Sequence, residues 1–283
     1  MEEKIIITFD SGLDVDAETI QKYNLKRLPV TIKTGNEQTL DDGSVKPDDI
    51  VDYFKKTKDL VTTLPPTVQE TFRFFTRYAH MGYTVIHFAT SQKLSYAYDN
   101  AIAAAENFNK VHVIDSKAYT IGIMPLITKA AEMVQEGKSS DEIIKYCTAM
   151  TERIRMHVII ENLDFIHSGG RINVAQKLML SVFGRIPTIA IEDGYFYTKK
   201  SYGGKLEKSA VKAVEDMLKV TKGIERKMAY LGHTGVNDTI IESCKKEMEQ
   251  LGDFENIHIQ RCGASTTTHY GDGGIVVCWV EKE

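Results

Sequence analysis

The first apolar run of the chain, Lys4–Phe9, stops abruptly at Asp10-Ser11-Gly12. A short unbroken apolar run closed by a polar turn reads as a buried strand. The pattern then changes period repeatedly. A helix is expected over Asp16–Tyr23 and a strand over Leu28–Lys33. An amphipathic helix is expected over Pro47–Lys56, with acidic residues in its first turn, where the helix dipole favours them. Thr62-Thr63-Leu64-Pro65-Pro66 reads as a loop, and Thr67 with Glu70 forms a capping box that opens a helix to about Met81. Strands are expected at Thr84–Ala89 and Val111–Asp115, followed by helices through Ala101–Ala105 and Ile121–Gln135. Ser139 with Glu142 is a second capping box, starting a helix to about Arg155. Strand and helix patterns that alternate in this way predict βαβ units around a parallel sheet.

The second half has a different rhythm. His157–Glu161 is strand-like, and Ser168-Gly169-Gly170-Arg171 reads as a glycine turn before a short helix. Thr188–Glu192 and Tyr195–Lys200 flank Asp193-Gly194, a pair that tolerates the positive φ of a type I′ hairpin turn. Helices over Leu206–Lys219 and Val236–Leu251, with strands at Met228–Leu231, Ile257–Arg261 and Ile275–Val280, complete a mixed pattern. The expected fold is α/β: an N-terminal parallel-sheet βαβ domain over residues 1–155 and a C-terminal α+β domain with a mixed sheet over 156–283. The 283 residues agree with two units at about 150 residues each.

Composition narrows the function classes. Hydrophobic residues at 42% and charged residues at 26% exclude disorder and leave apolar material for a core and an internal cavity. A net charge of −4 argues against broad nucleic-acid binding, which needs a basic stripe, but does not disfavour a small anionic ligand. The segment from Met1 to Gly12 lacks the basic and apolar regions of a signal peptide, and no run of about 18 apolar residues occurs. A soluble, cytoplasmic protein without a transmembrane segment is expected. Cys147, Cys244, Cys262 and Cys278 lack ligand or disulfide spacing and are expected to be reduced thiols.

Ligands of open α/β sheets sit beyond the carboxyl ends of the strands. The residues expected on that rim are Asp10 and Ser11, Thr62 and Thr63, Ser91 and Ser95, and Asp115 and Ser116. Singly, each is an ordinary N-cap. Repeated along one edge, with helix N-termini behind them, they point to an anion cradle. The second half adds Gly170, Arg171 and His269. No G-x-S-x-G elbow, Walker A loop or H-E-x-x-H motif is present. Two catalytic readings stay open. One is a serine hydrolase in which Ser95, His269 and Asp115 form a triad, which requires a Ser–His hydrogen bond. The other is an enzyme that holds a phosphate ligand on the same polar rim.

Seven segments, in order and at similar spacings, carry a resemblance. They are Phe9-Asp10-Ser11, Thr62-Thr63-Leu64-Pro65, Ser91 through Ser95, Val113 through Lys117, Leu163 through Ile172, Glu192-Asp193-Gly194, and His269 through Gly274. Together they resemble the DegV family of fatty-acid-binding proteins, over nearly the whole chain. The resemblance implies a carrier and not an enzyme, with one long-chain fatty acid bound in a tunnel between the two domains. It implies no cofactor and no metal. Matching the family's motifs assigns the carboxylate to Thr62, Ser95, Arg171 and His269, with Asp10, Ser11, Thr63, Ser91, Asp115, Ser116 and Gly170 around the rim. It also implies a partner, a separate fatty acid kinase that makes an acyl phosphate. Two departures stand out. Tyr96 replaces a glycine beside Ser95, and Gly203-Gly204 stand where many members carry an arginine that engages the kinase.

Overall fold

The computed structural model describes residues 3–168, 177, 184–221 and 223–283. Its first layer is a four-stranded parallel sheet. The strands are β1 (Ile5–Asp10), β2 (Lys26–Leu28), β6 (Thr84–Ala89) and β7 (Val111–Asp115), in the order β2-β1-β6-β7. Strand β6 is buried at every position, as expected where helices cover both faces of a parallel sheet. Helices α3 (Val68–His80) and α4 (Ala97–Ala105) cover one face through Phe75, Ala101 and Ala104. Helices α5 (Met124–Gln135) and α6 (Ser140–Thr151) lie on the other. The capping boxes of α3 and α6 form as the sequence predicts, with Thr67 and Ser139 accepting from the backbone of Glu70 and Glu142.

The expected strand over Leu28–Lys33 is instead two strands in different sheets. The chain leaves β2 at Leu28, passes Pro29, and resumes as β3 (Thr31–Thr34). Proline cannot donate to a ladder, so the run breaks there. Strand β3 lies between β4 (Glu37–Leu40) and β5 (Thr62–Leu64) in a small antiparallel sheet. The segment Thr62–Leu64 is thus a strand and not a loop. Its paired threonines have β-branched side chains that suit a sheet, and Pro65-Pro66 only end it. Helix α2 (Pro47–Thr57) completes this excursion between β2 and α3.

The second layer is a six-stranded mixed sheet. Its members are β8 (Ile154–Ile159), β9 (Arg185–Glu192), β10 (Tyr195–Gly203), β11 (Ile224–His233), β12 (Ile257–Arg261) and β13 (Ile275–Glu281), in the order β10-β9-β8-β13-β11-β12. Only the β11–β12 pair is parallel. The expected boundary at residues 155 and 156 falls inside β8. The β9–β10 turn has positive φ at both Asp193 (49°) and Gly194 (77°), as a type I′ turn requires.

Short α7 (Leu163–Ser168) follows β8. Helices α8 (Leu206–Val220) and α9 (Asp238–Gly252) cover one face of the sheet over Trp279, Val277 and Leu231. The opposite face shares one continuous core with the parallel sheet. Phe9, Phe88, Ile121, Ile127, Val158, Val276 and Cys278 all belong to it. The remaining helix, α10 (Ala264–Tyr270), is buried along its whole length and carries His269. It packs against α2 and α7, with Phe54 on Phe165 at 4.6 Å between ring centroids. All four cysteines are buried and free. No described helix is long and apolar enough to cross a membrane.

Candidate functional site

Most of the acidic and hydroxyl residues expected on the rim are engaged in building the strand ends. Asp10 is fully buried; one oxygen accepts the Thr90 amide at 2.7 Å and the other bonds His87 Nε2 at 3.2 Å. His87 Nδ1 in turn bonds Thr8 Oγ1 at 2.9 Å. Ser11 Oγ accepts the Val30 amide at 2.9 Å, fixing the bend between β2 and β3. Asp115 Oδ1 accepts the amides of Gln92 (3.2 Å) and Lys117 (3.0 Å), and Ser116 Oγ accepts that of Ala118 (3.2 Å). Ser91 Oγ donates to the Gly194 carbonyl at 3.1 Å, which docks the β9–β10 turn on the loop after β6. Buried polar groups need such partners, so these five residues act as fasteners of the loops rather than as groups facing a ligand.

A cavity of about 420 Å³ lies beyond the carboxyl ends of β1, β6 and β7. Thr63, Thr90, Ser95 and Ser265 supply hydroxyls to its wall, Lys93 a cation, and Tyr119 an aromatic face. No carboxylate is among its described lining residues. Tyr96, 75% exposed, stands at the mouth.

Thr63 Oγ1 shares a 3.0 Å hydrogen bond with Nε2 of the buried His269. Tyr119 meets the His269 ring edge-on at 5.7 Å. Ser95 precedes α4, and its Oγ accepts the Ala97 amide at 3.1 Å. Thr62, by contrast, pairs with Lys33 and does not line the cavity. Successive strand residues point to opposite faces, so a one-residue change of register separates a wall residue from its neighbour. The spacing Thr-x-x-Pro is met by both Thr62…Pro65 and Thr63…Pro66, so spacing alone does not choose between them. Thr63, Ser95 and His269 therefore come together and Thr62 does not. Gly170 and Arg171 lie outside the described residues.

Asp14 escaped the sequence reading and is central to the geometry. Its carboxylate accepts the Gly263 amide and the Thr266 hydroxyl, both at 2.7 Å, and also the Thr120 hydroxyl. Gly263 and Thr266 begin α10, which ends with His269. Thr120 has φ 47°, a conformation rare for a β-branched residue, and adjoins Tyr119. One buried acid thus fixes the helix bearing His269 and the turn bearing Tyr119. Burial pushes the Asp14 carboxyl above its usual range, against the pull of these donors. Burial and the nearby Asp14 charge push Asp41, at the end of β4, up to about 6.

The geometry does not assemble a Ser95–His269–Asp115 triad. His269 Nε2 faces Thr63, Ser95 Oγ accepts the Ala97 amide, and Asp115 accepts from two backbone amides. Among the described residues no group of three or more His, Cys, Asp or Glu side chains is placed to hold a metal ion.

The chain is thus an α/β protein of two main sheets and one small one, with a polar chamber at the ends of its parallel strands whose described lining holds no carboxylate. Residues 4–282 match the model of the family described as "Uncharacterised protein, DegV family", and the chain belongs to the DegV family. A DegV domain-containing protein of Clostridium acetobutylicum is 27% identical over 281 residues, covering 97% of this chain and 99% of the relative. Among solved structures, the fold is similar to that of a DegV family protein from Thermus thermophilus described for fatty acid binding. The TM-score is 0.86 at 20% identity, covering 99% of this chain and 100% of the other. It is also similar to the Fatty Acid Kinase B3 protein of Streptococcus pneumoniae loaded with linoleic acid. There the TM-score is 0.84 at 18% identity, with 99% and 100% coverage. At these identities the likeness is one of fold.

Proposed function

We propose that this chain binds a single long-chain fatty acid, with its carboxylate in the chamber beside Thr63 and Ser95, and presents it to a separate kinase for acyl phosphate formation. The ligand lies between a first unit of residues 1–155 and a second of 156–283; Ser265 is the second unit's described contribution to the wall. Arg171 completes the head-group set. The observation that carries the reading is the Thr63–His269 hydrogen bond at the wall of a chamber with no carboxylate among its described lining residues. A fatty carboxylate has two acceptor oxygens and no donor, so it needs hydroxyl and amide donors held in place. His269 sits behind Thr63 and orients its hydroxyl, so at this point the carboxylate meets a hydroxyl rather than a buried imidazole.

Magnitudes divide the work. A C16 tail has ~14 methylenes, and burying them at ~0.8 kcal/mol each is worth at most roughly 11 kcal/mol. One charge-assisted hydrogen bond nets about 1.5–3 kcal/mol. The tail supplies most of the affinity and the head sets orientation. In this role the chain is a carrier, and chemistry on the carboxylate belongs to the partner. Native mass spectrometry of the gently purified protein tests the reading. One fatty acid per chain, released on denaturation, is expected. A delipidated protein that takes up neither palmitate nor oleate would overturn it.

A further inference from the structure

Lys93 is the one positively charged side chain among the described lining residues of the chamber. No carboxylate pairs with it among the described residues. Its ammonium lies over the ring of Tyr195, 5.5 Å from the centroid. Tyr195 opens β10, directly after the turn that Ser91 grips through the Gly194 carbonyl. The next residue, Phe196, packs edge-on against Tyr119 of the chamber wall at 6.4 Å. The hairpin thus reaches over from the second sheet and braces the loop that carries Lys93. A lysine with no ion-pair partner among the described residues, held by a ring at the rim of a chamber lined with hydroxyls, adds a positive charge to the chamber wall.

We infer that Lys93 is a charge-selecting residue of this site, favouring long-chain ligands in proportion to the negative charge on their head group. The inference rests on the fatty-acid reading and extends it. Two hydroxyls alone would accept a fatty alcohol nearly as well as an acid, because hydroxyls donate to either. A fixed point charge does discriminate, because its Coulomb energy scales with the ligand's charge. A neutral head gains nothing from Lys93, a carboxylate gains one increment, and a phosphorylated head, with close to two negative charges, gains twice that increment.

The test uses three ligands with one tail: myristyl alcohol, myristate and myristyl phosphate, each titrated below its micelle concentration into delipidated full-length protein at pH 8 and low salt. Lys93→Gln is expected to leave the alcohol's affinity unchanged, to weaken myristate about threefold and to weaken the phosphate about tenfold, as expected for an exposed charge. Lys93→Arg should keep the wild-type order. Raising the salt to a few tenths molar should shrink the difference between wild type and Lys93→Gln. Equal losses for all three ligands would make Lys93 a packing residue and overturn the inference. So would equal losses for the two anions, or no loss at all, in a variant that unfolds at the wild-type temperature. If wild-type protein binds none of the three ligands, the carrier reading itself fails; if it binds them without the graded response to Lys93→Gln, only the charge-selection inference fails.

Discussion

Asp14 Oδ1 accepts the backbone hydrogen of Gly263 at 2.7 Å, across 249 residues of sequence. The bond ties the loop after the first strand of the parallel sheet to the first turn of α10. Asp14→Ala leaves the buried donors of Gly263, Thr120 and Thr266 without their acceptor, and each such group costs about 1–3 kcal/mol. With partial relaxation, a loss of about 3 kcal/mol is expected in urea unfolding. Fatty-acid affinity should fall as well, because His269 and Tyr119 lose a common anchor. A variant of unchanged stability would show that Asp14 is not the clamp described.

Asp41 gives the fold a pH dependence of defined sign. Its folded-state value, about 6, lies above the ordinary 3.8 because burial, and then the Asp14 charge, disfavour ionisation. A carboxyl with a raised value favours the folded state while protonated. That contribution is present below about pH 4 and is lost as pH rises through 6. Asp41→Asn cannot ionise. The stability of the variant relative to wild type should rise between pH 4 and pH 8 by up to about 3 kcal/mol, measured by urea unfolding at both values. A difference that does not change with pH would place Asp41 in contact with water.

The two threonines of β5 should behave differently. Thr63→Val removes the partner of His269 Nε2 and a hydroxyl of the chamber wall, so fatty-acid binding should weaken by about 1–3 kcal/mol. Thr62→Val, one residue away and outside the wall, should change it by less than about 0.5 kcal/mol. Isothermal titration with a single acid decides between them, and the reverse order would restore Thr62 as the head-group residue.

The hairpin contact offers a cycle. Gly194 has φ 77°, and a Cβ placed there would collide with Ser91 Oγ. Gly194→Ala should destabilise the protein by about 2 kcal/mol through backbone strain and this collision. Ser91→Ala removes the colliding atom, so the double variant should be more stable than the sum of the two single losses predicts. Additive losses would show that the turn does not rest on Ser91.

The period of the hydrophobic pattern is enough to read the parallel sheet, and short motifs are enough to read the two capping boxes and the Asp-Gly hairpin, because each is a local signal with one physical cause. The small antiparallel sheet was hidden. Pro29 splits one apparent strand into two, and β5 is three residues long and bounded by prolines, which imitates a loop. Helix α10 was hidden as well, since its Thr266-Thr267-Thr268 run has low helix propensity. Its hydroxyls are held instead by Asp14 and by the carbonyls of Gly263 and Ser265. Within the site, residue types were legible and roles were not. Ser and Asp at strand ends are chosen for loop closure as often as for ligands, and only coordinates separate Ser91 from Ser95. Asp14 had no motif of its own; its importance comes from partners far away in the sequence.

The position of β13 sets the order in which this protein can become functional. Residues 275–281 form an interior strand of the mixed sheet, between β8 and β11, and the Thr63–His269 bond spans 206 residues. Non-local contacts of this kind close late, because the loop entropy must be lost before any contact offsets it. While the chain emerges from the ribosome, the parallel layer can collapse early, but Thr63 waits for α10 and the second sheet lacks its middle until residue 281 is free. A nascent chain therefore has no finished chamber. On the proposed function, ligand capture begins only after synthesis of this segment, and a chain that stops before Ile275 should accumulate without a bound fatty acid.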